Sequence, residues 1–275
     1  MKLFLGGSPC TRWSIAQTKN RETEPEGIGW ELLDVVREYG YPVISKEVAQ
    51  IIEGGRKGQR SSLLQLDGIY GKFQEKNYFD KTKYKFLLDA PFLISWKCCT
   101  YTKKHPAHLY ERKTGYLPIT AIMATEGKLR YPKWLQQGCN AYKSKKPQSK
   151  PMSFWGEQDV LRYILQEGIP ICSVYGEIKP FDGLNFYEDS LTGKAPLKCT
   201  GCQRTGCIFC AFGAHLEKGE TRFQRLKRTH PKHWNHCVNG GEWDPVDGMW
   251  KPSKTPGHIG MGMGRVLDFI GVKYE

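Results

Sequence analysis

Two pairs of cysteines, far apart in the chain, restrict what this sequence can build more than any other feature. Cys98 and Cys99 are adjacent in Ser95-Trp96-Lys97-Cys98-Cys99, and Cys207 and Cys210 form a C-x2-C. Neither pair suits a disulfide. Vicinal cysteines strain the ring they would close, and the C-x2-C spacing is that of a metal ligand or a redox dithiol. Brought together, the two pairs supply four thiolates, the ligand set of an iron–sulfur cluster or a closed zinc site. Cys199 and Cys202 add an alternative, because residues 199–210 read C-x2-C-x4-C-x2-C. A local zinc set of Cys199, Cys202, Cys207 and Cys210 therefore competes, although its central linker is short for a zinc knuckle. Cys139 and Cys172 have no nearby partner in sequence and read as packed thiols.

The 275 residues carry 41 Lys+Arg against 28 Asp+Glu, a formal charge of +13. Such an excess favours polyanions: nucleic acid, nucleotides or sulfated compounds. Basic clusters occur at 81–85 (KTKYK), 143–150 (KSKKPQSK) and 222–232 (RFQRLKRTHPK). Hydrophobic content of 39% is enough for a core. No apolar run is long enough to span a bilayer, and the N-terminus lacks the shape of a signal peptide. The expected location is cytoplasmic, where thiols stay reduced and open to metals.

Helical spacing covers 29–39, with Gly40 placed to cap it, and Ser45 is placed to cap a second helix through Ile52. Residues 54–83 read as a polar, Gly-rich excursion. Leu117–Ala124 (LPITAIMA) reads as a buried strand, Ser153 as the opening of a helix carrying Val160, Leu161 and Ile164, and Arg222–Thr229 as a short basic helix. Mixed strands and helices with buried strands predict an α/β fold.

In this order the motifs resemble the phosphoadenosine phosphosulfate (PAPS) reductase family, especially its phage and mobile-element branch. The matching segments are YGYPVISKEVAQ at 39–50, KYKFLLDAPFLISWKCC at 83–99, IMATEGKLR at 122–130, PMSFWGEQDVLRYI at 151–164, IPICSVYGEI at 169–178 and TGCQRTGCIFCAFGAHLEK at 200–218. The resemblance implies an adenine-nucleotide α-hydrolase-like (Rossmann-like) parallel sheet over residues 34–275, incomplete at its N-terminal part, with a cysteine-rich region at 199–237. It implies a [4Fe-4S] cluster on Cys98, Cys99, Cys207 and Cys210, with Lys97 tuning it by charge and hydrogen bonding. It also places Arg130 opposite the anionic end of a nucleotide, where a planar five-donor group suits phosphate or sulfate. The implied function is redox or sulfur-transfer chemistry on an adenylated or nucleic-acid substrate.

Departures from the family pattern point to an impaired enzyme. The S-G-G-x-D-S pyrophosphate loop is missing. Gly6-Gly7-Ser8-Pro9-Cys10 keeps two glycines but puts a proline where an N–H is needed. The C-terminal catalytic cysteine of sulfonucleotide reductases has no counterpart after Cys237. Residues 1–33 instead resemble the catalytic-loop region of phage cytosine-5 DNA methyltransferases, which would make Cys10 a nucleophile. The rest of that enzyme is absent, so a small residue in a strand–loop turn is the competing role for Cys10. Expected partners are an adenine nucleotide or nucleic acid, with a protein partner or reductant, and no membrane. The rival class is a non-catalytic nucleic-acid-binding or interaction protein of phage origin, stapled by a structural zinc or iron–sulfur site.

Overall fold

The computed structural model describes residues 32–69, 80–127, 129–144, 146–181, 195–202 and 207–275. Cys10 and the methyltransferase-like segment, apart from its last two residues, lie outside them. In chain order the helices and strands are α1 (Leu32–Tyr39), β1 (Val43–Ile44), α2 (Lys46–Arg56), α3 (Arg60–Leu66), α4 (His105–Thr114), α5 (Arg130–Gln137), α6 (Glu157–Gln166), β2 (Ile178–Pro180), β3 (Leu197–Cys199), β4 (Ala211–Phe212), α7 (Arg222–Thr229), α8 (Pro231–Val238), β5 (Glu242–Trp243), β6 (Trp250–Lys251) and α9 (Met263–Phe269). A 3-10 segment, Thr82–Asp89, precedes α4. The chain divides into two compact units, one of residues 21–108 with 207–275 and the other of 1–20 with 109–206.

The first unit is mixed helix and strand with small sheets. Its centre is the extended run at 41–44. On one side β1 pairs with β4 in parallel, Val43 with Ala211 and Ile44 with Phe212. On the other, Tyr41 makes a parallel bridge to Ile94, and Phe92 makes one to Trp250. The outermost pair, β5 with β6, is antiparallel. Tyr41, Val43, Phe92 and Ala211 are buried, as expected of strands covered on both faces.

Local chemistry explains the helices that flank this run. α1 buries Leu32, Leu33, Val35 and Val36 and stops at Gly40, whose φ is +108°. A Cβ there would meet the Leu93 backbone at 2.4 Å, so only glycine fits. α2 starts where the sequence places it, with the Ser45 hydroxyl accepting from the Val48 N–H at 3.1 Å. It runs past Ile52 to Arg56, through Gly54 and Gly55. Paired glycines usually weaken a helix, but a Cβ at Gly54 would come within 2.4 Å of the Ser62 hydroxyl on α3. Close packing of α2 on α3 therefore needs them. Arg56 then spreads its guanidinium over four backbone carbonyls, those of Leu87, Leu88, Ala90 and Phe92, at 2.7–3.2 Å. These bonds satisfy the end of the 3-10 segment and fix the entry to the strand at 92–94.

The second unit is built from turns and short pairings. β2 and β3 form an antiparallel pair with Ile178 opposite Cys199. Two sequence expectations fail here. Leu117–Ala124 is not a buried strand: it makes one parallel bridge, Ile119 to Ser149, and Leu117 is exposed. Pro118 has no N–H to give, and a single neighbouring residue cannot extend a ladder. Nor does Ser153 open a helix. Its buried hydroxyl donates to the Lys150 carbonyl in a turn, and α6 begins after Gly156, whose N–H is accepted by the Asp159 carboxylate at 2.7 Å.

Candidate metal centre

The two sequence-distant cysteine pairs enter the first unit from opposite sides of the 41–44 run. The Ser95 N–H donates to the Tyr41 carbonyl at 3.0 Å, and Cys98 and Cys99 follow three and four residues later as the opening of a helix. On the other side the Ala211 N–H donates to the Pro42 carbonyl at 3.2 Å, immediately after Cys210. The Cys210 N–H in turn donates to the Cys207 carbonyl at 3.0 Å, closing the C-x2-C turn. Strand pairing thus carries all four thiols to the same short stretch of backbone.

Their electrostatics register that gathering. Burial pushes the Cys98 thiol far up from its ordinary range, and Cys99, Cys207 and Cys210 push it further, while the Thr102 hydroxyl pulls it down. Burial likewise raises Cys210, to about 11, with Cys207 and Cys99 adding to the rise and the Phe212 backbone and Arg222 opposing it. The described side chains place no three Cys, His, Asp or Glu groups around a single ion-sized point. Cys98 and Cys210 each lie within electrostatic reach of the other cysteines of the two pairs, without the four closing on one centre.

Several neighbours frame the thiols. Thr102, four residues beyond Cys98 and so on the same helical face, donates its hydroxyl to the Cys98 carbonyl at 2.8 Å. Immediately after Cys99 the helix takes a π-helical turn, Thr100–Lys104, a local irregularity common near functional sites. Arg222, first residue of α7, donates Nη1 to the Cys210 carbonyl at 2.9 Å and Nε to Glu217 at 2.7 Å. Ile44, at the far end of β1, holds φ at +63°. That region is disfavoured for a β-branched residue and costs about 1–3 kcal/mol. The Gly213 N–H holds it there by donating to the Ile44 carbonyl at 2.8 Å.

Lys97 is half-buried, with its ammonium 3.5 Å from Glu53 and 4.9 Å above the Tyr39 ring. That ring stacks on Tyr101 at 4.5 Å. Burial works to raise the Glu53 carboxyl, but Lys57 and Lys97 outweigh it and hold it below the usual carboxylate range. Lys97 is therefore fixed by a carboxylate and a ring, one residue before the thiols. Arg130 belongs to the other unit, where it starts α5 and pairs with Glu126 one turn earlier. Cys199 and Cys202 also belong to that unit, Cys199 at the end of β3 and Cys202 donating its N–H to the Val174 carbonyl at 2.9 Å.

Sequence reading missed Thr102, Glu53 and the specific role of Arg222. Thr102 was visible in principle from its helical spacing to Cys98. Glu53 carried no signal, because its partner lies on another element.

Fold and site together define a class: a mixed helix-and-strand protein with small sheets and two cysteine pairs carried on segments that flank one short extended run. No protein-family model, curated protein or solved structure matches the chain.

Proposed function

We propose that this chain is an iron–sulfur protein of the PAPS reductase type, holding a [4Fe-4S] cluster on Cys98, Cys99, Cys207 and Cys210 and acting in redox or sulfur-transfer chemistry on an adenylated or nucleic-acid substrate. The observation that carries the reading is the arrival of two sequence-distant cysteine pairs on either side of residues 41–44. A cluster asks for four thiolates facing one another across a space several ångströms wide. Cys98 and Cys210, each in electrostatic reach of the other cysteines of the two pairs, are consistent with that demand. The raised proton affinity of Cys98 and Cys210 is what buried thiols show without a cation, and a metal would reverse it by binding the deprotonated form. Parallel pairing at Val43–Ala211, Tyr41–Ile94 and Phe92–Trp250 supports the α-hydrolase-like, Rossmann-type reading of the sheet.

When bound, the cluster supplies a redox centre whose potential depends on nearby charge and hydrogen bonding. This chain's own residues set those surroundings. Lys97 brings a cation pinned by Glu53. Arg222 fixes the C-x2-C turn through the Cys210 carbonyl, and Thr102 fixes the helix start through the Cys98 carbonyl. A reduced cytoplasmic setting and a protein reductant belong to the same reading.

Anaerobic purification followed by metal and sulfide analysis tests it. About four irons and four acid-labile sulfides per chain are expected, with broad visible absorption. Cys98→Ser should abolish both, and Cys202→Ser should leave them in place. One zinc per chain without sulfide, unaffected by Cys98→Ser, would overturn the reading in favour of the 199–210 zinc set.

A further inference from the structure

The second unit carries a surface that the metal centre does not use. Over residues 109–150 nine lysines and arginines stand against two glutamates, and one of those, Glu126, is taken up by Arg130. Lys133, Lys143 and Lys146 are exposed and form no ion pair with a described residue. α5 buries none of its side chains. Tyr131 on that helix is 50% exposed and lies 5.7 Å from Trp134.

A hairpin pairing at 139–141 and 148–150 follows α5 after one glycine, Gly138 at φ +66°. The Ala141 N–H donates to the Gln148 carbonyl at 2.9 Å, and the Lys150 N–H donates to the Cys139 carbonyl at 2.7 Å. The Ser149 hydroxyl adds a bond to Asn140 at 2.7 Å. These bonds hold up a tip that presents Tyr142, 56% exposed, next to Lys143.

Exposed rings beside exposed ammonium groups are the two things a nucleic-acid strand covers. Phosphates neutralise the lysines, and unpaired bases stack on the rings. A duplex offers the phosphates but hides its base faces. We propose that α5 and the 139–150 hairpin form a binding surface for single-stranded nucleic acid, with Tyr131, Trp134 and Tyr142 as stacking platforms and Lys133, Lys143 and Lys146 as phosphate contacts. This deepens the proposed function by naming the class of substrate, and it rests on that reading only for its place in the reaction.

The test uses the full chain, purified anaerobically, and a fluorescent oligothymidylate of about twenty nucleotides, with anisotropy read at about 50 and 200 mM salt. Tyr131→Ala with Tyr142→Ala should weaken binding about tenfold or more. Lys143→Glu with Lys146→Glu should weaken it further at low salt and flatten the logarithmic salt slope by about 1.4. A duplex of the same length should bind more weakly and ignore the tyrosine changes. These side chains are exposed, so unchanged circular dichroism is expected and makes any loss a loss of contact. Wild-type affinity in the tyrosine variant would overturn the proposal. So would tyrosine-dependent binding to phosphatidylserine vesicles with none to the oligonucleotide, which would make the surface a membrane site. Iron and sulfide measured in the same preparations separate the two readings. Tyrosine-dependent binding without iron would uphold this surface and sink the cluster, and iron without such binding would sink this surface alone.

Discussion

The unit of 21–108 with 207–275 puts many apolar side chains fully inside, whereas the described part of the 109–206 unit fully buries few of its own. Tyr41, Phe92, Phe223, Met261 and Leu267 are among the fully buried side chains of the first. Among the described residues of the second, the buried apolar side chains are Ala124, Ala141 and Leu161. Leu129, Tyr131, Leu135, Tyr142 and Phe154 face water there. The first unit carries both cysteine pairs on segments that flank its buried run at 41–44. The described part of the second unit instead leaves rings and lysines exposed and buries few apolar side chains.

The sharpest way to break this contrast is to empty one core position in each unit. Phe92 is fully buried and lies edge-to-face against both Tyr41, at 5.7 Å, and Phe269, at 5.5 Å. Phe92→Ala should cost about 3–5 kcal/mol of unfolding free energy, and Leu161→Ala, in a thinly packed site able to collapse, about 2 kcal/mol. Urea melts of the two variants measure this. Equal losses would mean that the second unit holds a core as tight as the first.

A smaller effect concerns the ion pair that closes the first unit. The Arg37 guanidinium, 2.6 Å from Glu242, holds that carboxyl below its usual range, helped by the hydroxyls of Ser253 and Thr255. A carboxyl with a depressed folded-state pKa adds stability that is fully present above its unfolded value, near 4.3, and is lost as pH falls through the lower folded value. The pair is partly exposed, so the contribution is about 1 kcal/mol or less. Denaturant midpoints of wild type and Glu242→Gln should differ at neutral pH and converge below about pH 4. A difference that persists in strong acid would assign the loss to packing rather than charge.

The smallest effect sharpens the contrast from the other side. Leu135 on α5 is 65% exposed. Leu135→Ala should change stability by no more than about 0.5 kcal/mol. A loss of 2 kcal/mol or more in the same melts would show that α5 is packed in solution and is not a free face.

Much of the helical detail was legible along the chain because its causes are local. Ser45 as a cap, Gly40 as a stop and the bounds of α7 each depend on neighbours within a turn or two. At α7 the Thr221 hydroxyl accepts from the Gln224 N–H, and the Gln224 side chain accepts in return from the Thr221 N–H. Reading failed where partners were remote. LPITAIMA has the composition of a strand, but a strand exists only by pairing, and Pro118 with one neighbouring bridge gives it almost none. Gly54 and Gly55 looked like an end to α2 and are instead the contact surface for α3.

The same division runs through the site. By itself the sequence determined which residues could serve as ligands, because vicinal and C-x2-C cysteines are a statement about spacing, and it determined the excess of 41 Lys+Arg over 28 Asp+Glu. Only the tertiary structure decided that the segment leading to Cys98 and Cys99 and the segment following Cys210 flank the same run at 41–44, through the Tyr41–Ile94 bridge and the Val43–Ala211 pairing. It also decided that Lys97 is held by Glu53, that Arg222 secures the Cys210 turn, and that Tyr131 and Tyr142 remain in water. Spacing is fixed by covalent geometry and can be read off the chain. Proximity between distant segments is fixed by hydrogen-bond pairing and burial, which no single stretch of sequence contains.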